Sequence, residues 1–104
     1  VTLKADNNKY GQAGIQLGGC QDLSDYSKLK IEYTASAQIQ VKFGTTANLY
    51  GAATTISYPD AVETKTLKEI DISEKVKNAV YSIMVGPNGD DSTTMTIYSI
   101  TLEK

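Results

Sequence analysis

The chain has 104 residues, enough for one hydrophobic core and too few for two, so residues 1–104 are expected to form a single domain. Its 40% hydrophobic content and net charge of -2 describe an ordinary globular protein, neither disordered nor membrane-bound, and no run reaches the roughly 20 apolar residues of a membrane-spanning helix. All ten basic residues are lysines, fewer than the twelve acidic ones, which argues against a nucleic-acid partner, and the absence of His removes Ser-His and Cys-His nucleophile pairs. No charged-then-apolar leader opens the chain, and a start at Val1 in place of Met is expected of a processed piece or a module cut from a larger protein.

Period-two alternation dominates the chain and predicts strands separated by turn residues. The first runs from Val1 to Ala5, with Val1, Leu3 and Ala5 inward. Asp6-Asn7-Asn8 supplies a turn to the second, Tyr10 to Leu17, which has Ala13, Ile15 and Leu17 inward. Cys20 follows the Gly18-Gly19 turn and reads as a small buried thiol, since one cysteine cannot form an internal disulfide. The third strand, Lys28 to Thr34, points Leu29, Ile31 and Tyr33 one way and Lys30, Glu32 and Thr34 the other. Ala35-Ser36-Ala37 joins it to Gln38 to Phe43 in what reads as a hairpin, with Ile39, Val41 and Phe43 inward.

Ala53 to Tyr58 and Thr64 to Ile72 come next; Leu67 and Ile70 differ in parity, which predicts a bulge or strand end between them. Asp71 followed by Glu74 resembles a helix start, so one helical turn is expected over Ser73 to Asn78. Val80 to Val85, the turn Pro87-Asn88-Gly89-Asp90-Asp91 and Thr94 to Leu102 complete eight strands.

Eight short strands with one apolar face predict an all-β, two-sheet antiparallel sandwich of the jelly-roll kind. An immunoglobulin-like sandwich is the alternative, without the Cys-Trp-Cys pattern of true immunoglobulins. A jelly roll places strands one, three, six and eight in one sheet and two, seven, four and five in the other. The outward face of the first sheet then carries Thr2, Lys4, Lys28, Lys30, Glu32, Thr34, Thr96, Thr101 and Glu103, a solvated mixture of charge and threonine. That of the second carries Tyr10, Gln12, Gln16, Gln38, Gln40, Lys42, Ser82 and Met84, with Tyr50 near its edge.

Amides and tyrosines are what a sugar needs, since its hydroxyls both donate and accept and its C–H faces lie on aromatic rings. The competing account is that Gln is ordinary strand filler and that Tyr26, Tyr33, Tyr81 and Tyr98 pack in the core or plug its ends. Asp25, Glu32, Glu63 and Glu69 read as solvated charges in place of a hydrolytic carboxylate pair. Asp6-Asn7-Asn8 and Asp90-Asp91 offer oxygen ligands, but turn formation accounts for both, so no metal and no cofactor are expected.

Three stretches resemble the jelly-roll carbohydrate-binding modules attached to bacterial plant-polysaccharide-degrading enzymes. They are Asp22-Leu23-Ser24-Asp25-Tyr26-Ser27-Lys28-Leu29-Lys30-Ile31-Glu32-Tyr33, then Ile70-Asp71-Ile72-Ser73 leading to Ser82-Ile83-Met84-Val85, and finally Ile97-Tyr98-Ser99-Ile100-Thr101-Leu102-Glu103. The resemblance implies a secreted, non-catalytic, monomeric module, as in cellulosomal systems, that keeps a catalytic domain of the same polypeptide on a cell-wall polysaccharide. It does not imply a nucleic-acid or membrane partner. The chain departs from many such modules in having no tryptophan, which points to soluble or amorphous glycans over crystalline cellulose. Some similar modules meet pectin uronates with lysines, a role open to Lys9 or Lys42. The rival from another class is a structural or adhesive sandwich domain of a cell-surface protein.

Overall fold

The computed structural model describes residues 2–4, 13–46, 53–75, 77–89 and 93–104, and the side chains among these from residue 17 onward. Eight strands lie among them: β1 (Thr2–Lys4), β2 (Ala13–Gln21), β3 (Lys28–Ala35), β4 (Ile39–Gly44), β5 (Ala53–Ser57), β6 (Val62–Asp71), β7 (Val80–Pro87) and β8 (Thr94–Glu103). They form two antiparallel sheets in the orders β1-β8-β3-β6 and β2-β7-β4-β5. This is the jelly-roll order, with the sheet membership expected from the sequence. An immunoglobulin sandwich would instead pair the first strand with the second.

The core lies between the sheets and follows the period-two pattern. In β3, Leu29, Ile31, Tyr33 and Ala35 are buried; in β4, Ile39, Val41 and Phe43; in β7, Ile83 and Val85. Ile56, Ile70 and Met95 close it from β5, β6 and β8, and Ile72 from the turn after β6. Tyr33 is a deep plug whose hydroxyl donates to the Asp60 carbonyl at 2.7 Å, and burial, aided by the Asp60 charge, pushes its phenol pKa up. Lys77 lies buried at one rim, its ammonium 3.4 Å from the Ser73 carbonyl and 3.5 Å from that of Lys75.

Several local expectations are corrected. β3 and β4 do not form a hairpin: β3 pairs with β6 and β8, β4 with β5 and β7, so the Ala35-Ser36-Ala37 link crosses between sheets. The link from β7 to β8 crosses at the same end. The two crossings are tied together, Ser36 N donating to the Thr94 carbonyl, Thr94 N to Ser36 Oγ, and Asn88 N to the Gln38 carbonyl. A turn that joins two sheets and one that closes a hairpin use the same residue types, so local sequence does not separate them.

The second strand runs on to Gln21. Gly18 and Gly19, at φ of 79° and 120°, form an irregularity inside it in place of a turn, with the register shifting between Gln16 and Gln21. Cys20 is consequently exposed, not buried.

Between Leu67 and Ile70 there is no bulge, because Leu29 to Glu32 pair without interruption with Ile70 to Leu67. Leu67 simply lies on the solvent face, 53% exposed. After β6 no helix forms among the described residues. Asp71 Oδ1 instead accepts from Ser73 N at 2.9 Å and Ser73 Oγ at 2.6 Å, closing a tight turn. Among the described residues no helix is long and apolar enough to cross a membrane.

Candidate functional site

Directly paired residues of an antiparallel sheet share a face, so the register decides what each outer surface carries. On the β1-β8-β3-β6 sheet, Lys28 pairs with Asp71 and Glu103, and Lys30 with Glu69 and Thr101. Lys30 makes ion pairs to Glu103 at 2.7 Å and Glu69 at 3.5 Å, and Lys65 reaches Glu32 at 3.5 Å. The hydrogen bond and charge of Lys30 hold the Glu103 carboxyl below its usual range, and Glu103 in turn raises the Lys30 ammonium. Tyr98, which the competing account puts in the core or at its ends, is 50% exposed on this face. A β8 bulge opposite Glu32 and Tyr33 separates Ile97 from Ile100 by two residues and turns Tyr98 out, where the Lys65 ammonium sits 4.8 Å from its ring centre.

The outer face of the β2-β7-β4-β5 sheet has different chemistry. Lys42 pairs with Met84 and Thr55, Gly44 with Ser82, Ser82 with Gln16, and Gln40 with Gly86. The strand register thus brings Gln16, Gln40, Lys42, Ser82 and Met84 to one surface, away from Ile39, Val41, Phe43, Ile83 and Val85. Tyr10, Gln12 and Tyr50, like Lys9 and the loop acids Asp6, Asp90 and Asp91, lie outside the described residues.

The surface differs from the expected solvent-facing one in its burial. Gln38 is exposed and Lys42 half-buried, but Gln40 is 6%, Ser82 2% and Met84 1% exposed. Gln40 is held at both ends of its amide, Nε2 donating to the Pro87 carbonyl at 3.0 Å and Oε1 accepting from Thr55 Oγ1 at 3.4 Å. Ser82 and Met84 fill the space that Gly44 leaves by having no side chain; a Cβ there would collide with Ser82 Oγ and lie 3.3 Å from Met84 Cε. The Ser82 hydroxyl is buried without a hydrogen-bond partner. Period two assigns a side chain to a face and is silent on what lies over that face.

The sequence pattern also misses Tyr58. Strict alternation from the buried Ile56 would turn it inward, yet it is 53% exposed. The cause is a bulge: Lys42 pairs with Thr55 but Val41 with Ser57, so continuing the register sets Tyr58 opposite Gln40, on the outer face. Ile39 N donating to the Pro59 carbonyl at 3.0 Å confirms that register. Gln38 Nε2 donates to the Tyr58 carbonyl at 3.4 Å, and Gln38 Oε1 accepts from Asn88 Nδ2 at 2.8 Å. The one signal in the sequence is Pro59, which ends a strand and favours irregular pairing beside it.

No protein-family model matches the sequence, and no curated protein matches it. Solved structures do. A lysine-to-alanine mutant of CBM29-2, from family 29 of the carbohydrate-binding modules, superposes with a TM-score of 0.78 over 99% of this chain and 69% of that one, at 9% identity. An aspartate-to-alanine mutant of the same module gives 0.77 over 95% of this chain and 62% of that one, at 8% identity. The fold is that of a family 29 carbohydrate-binding module. A further family 29 structure gives 0.67 over 88% of this chain, which spans 59% of that structure, at 10% identity. The likeness to family 29 extends over both sheets; at such identity it is one of fold, and the chemistry of the site rests on this chain's own residues.

Proposed function

We propose that the chain is a non-catalytic carbohydrate-binding module that holds an attached enzyme on plant cell-wall polysaccharide, its ligand lying on the outer face of the β2-β7-β4-β5 sheet. The observation that carries this reading is the segregation of charge. One outer face is laced with Lys-Glu pairs, whereas Lys42 is the one charged side chain that the register brings to the other among the described residues. Amides and hydroxyls in a weakly charged surface suit the uncharged, bidirectional hydrogen bonding of sugars. Gln38 and Lys42 are the accessible contacts in this reading, with Gln40, Ser82 and Met84 as the floor that fixes them. Tyr10, Gln12, Gln16 and Tyr50 join the proposal through their places in the sequence. The fold likeness to family 29 modules supports the same assignment.

A binding role without catalysis agrees with three of the described carboxylates. Asp22, Asp71 and Glu103 are all shifted down, by hydrogen bonds from Ser24, Ser73 and Lys30 respectively, whereas a glycosidase acid must be shifted up. The test is affinity electrophoresis and calorimetry against mixed-linkage β-glucan, xylan, galactomannan and polygalacturonate. The expected result is binding to at least one, with dissociation constants of order micromolar to millimolar and no release of reducing sugar. No binding at concentrations well above that range would leave the structural or adhesive reading in its place.

A further inference from the structure

The end of the proposed ligand face at which β4 begins and β5 finishes carries the one exposed ring that the described part of this sheet offers, and its mounting is unusually fixed. Three bonds hold the backbone beneath Tyr58: the Gln38 amide on its carbonyl, Ile39 N on the Pro59 carbonyl and the Tyr33 hydroxyl on the Asp60 carbonyl. Pro59 itself is fully buried. Beside it, Gln38 and Asn88 are locked by two contacts, Asn88 Nδ2 to Gln38 Oε1 at 2.8 Å and Asn88 N to the Gln38 carbonyl at 3.2 Å. With the Gln38 bond to the Tyr58 carbonyl counted, one amide hydrogen on each residue and the Asn88 carbonyl oxygen are left for an incoming hydroxyl. A ring carried on tied-down backbone beside a locked amide pair loses less conformational entropy on binding than one on a loose loop, which favours useful affinity from few contacts.

We infer that Tyr58, Gln38 and Asn88 form a sugar-stacking subsite for a neutral glycan, separate from the Lys42 end of the face. The inference rests on the proposed carbohydrate-binding role and adds to it which ring is used, the charge class of the ligand and a dependence on chain length. Neutrality follows from the chemistry of the three residues: two amides and a phenol carry no positive charge to pair with a uronate. Length dependence follows from geometry. From Lys42 to Gln38 is four residues of strand, about 13 Å at about 3.3 Å each, farther than one sugar ring reaches. An oligosaccharide must therefore be several units long to engage both ends, and a disaccharide engages one.

The test is calorimetry of the wild type, Tyr58→Ala and Tyr58→Phe with mixed-linkage β-glucan, xylan, galactomannan and polygalacturonate, and with the hexasaccharide and disaccharide of each. For a neutral glycan and its hexasaccharide, Tyr58→Ala is expected to weaken binding about tenfold and Tyr58→Phe to leave it within about twofold, because the ring and not the hydroxyl makes the contact. The disaccharide should show a smaller loss. Alongside, two-dimensional NMR of the wild type should show the side-chain amide signals of Gln38 and Asn88 moving on titration with the hexasaccharide, a readout that needs no variant to fold. Unchanged affinity in Tyr58→Ala, or still Gln38 and Asn88 signals, while the wild type binds, would overturn the subsite and leave the carbohydrate-binding role standing. Binding to polygalacturonate alone would overturn the neutral ligand class. A wild type that binds none of the nine neutral probes or the uronate series removes the broader reading and this one together.

Discussion

The unpartnered hydroxyl of Ser82 facing Gly44 makes a measurable prediction about how the proposed ligand face is built. A buried hydroxyl without a hydrogen bond costs about 1–3 kcal/mol of desolvation, and replacing it with hydrogen removes that cost at the loss of one packed atom. Ser82→Ala is thus expected to stabilise the protein by about 1 kcal/mol, or about 4 °C or more in melting temperature for a chain of this size. Gly44→Ala is expected to do the opposite. Its φ is not in the left-handed region, so the new methyl gains about 0.5–1 kcal/mol from the unfolded chain, but it collides with Ser82 Oγ, and overpacking of that kind costs about 1–3 kcal/mol. With the hydroxyl gone, the remaining neighbours are Met84 Cε at 3.3 Å and the residue 82 Cβ at 3.4 Å, which a small shift relieves. In the double variant Gly44→Ala should therefore be neutral or stabilising, giving a coupling of about 1–2 kcal/mol between the sites. Urea unfolding of the two singles and the double measures it. Additivity within about 0.5 kcal/mol, or a Ser82→Ala variant less stable than the wild type by 1 kcal/mol or more, roughly one lost hydrogen bond, would refute the reasoning.

Three further outcomes follow from other parts of the molecule. Phe43→Ala, at a fully buried position between the sheets, should cost about 3–5 kcal/mol by thermal or urea unfolding, whereas Leu67→Ala on the solvent face should stay within about 0.5 kcal/mol. Cys20 should react with a thiol reagent in the native protein at a rate close to that in denaturant; strong protection would contradict its exposure in β2. Asp71 is held below the usual carboxylate range by the Ser73 hydroxyl and backbone N–H, helped by Lys28 and Lys75. A lowered folded pKa contributes stability that is full above the unfolded value near pH 4 and disappears as pH falls through the folded one. Asp71→Ala should accordingly lower the melting temperature at pH 7, and the gap to the wild type should narrow on acidification below about pH 4; a gap constant down to pH 2 would refute the assignment.

Alternation along Lys28 to Ala35, Ile39 to Gly44 and Ser82 to Val85 determines which side chains reach the core, because a strand inverts its faces at every residue and an apolar stripe has only one stable destination. Eight such segments with turn chemistry between them point to a two-sheet sandwich of the jelly-roll kind, and the sheet to which each strand belongs then follows from that fold and not from the residues. Period two likewise sends Gln40, Lys42, Ser82 and Met84 to the side away from Ile39, Val41 and Phe43. What the pattern lacks is any record of register and depth. The bulges that turn Tyr58 and Tyr98 outward arise where one strand gains a residue on its neighbour, a property of the pair and not of either sequence. The crossing of Ala35-Ser36-Ala37 between sheets depends on β3 and β4 having both edges taken by other strands, β6 and β8 for one, β5 and β7 for the other. The burial of Gln40, Ser82 and Met84 is likewise settled by tertiary neighbours: Pro87 and Thr55 claim one amide, and the bare backbone of Gly44 leaves room for a hydroxyl and a thioether. Local sequence thus fixes the faces of each strand, while long-range pairing decides which residues of a face are left for a ligand.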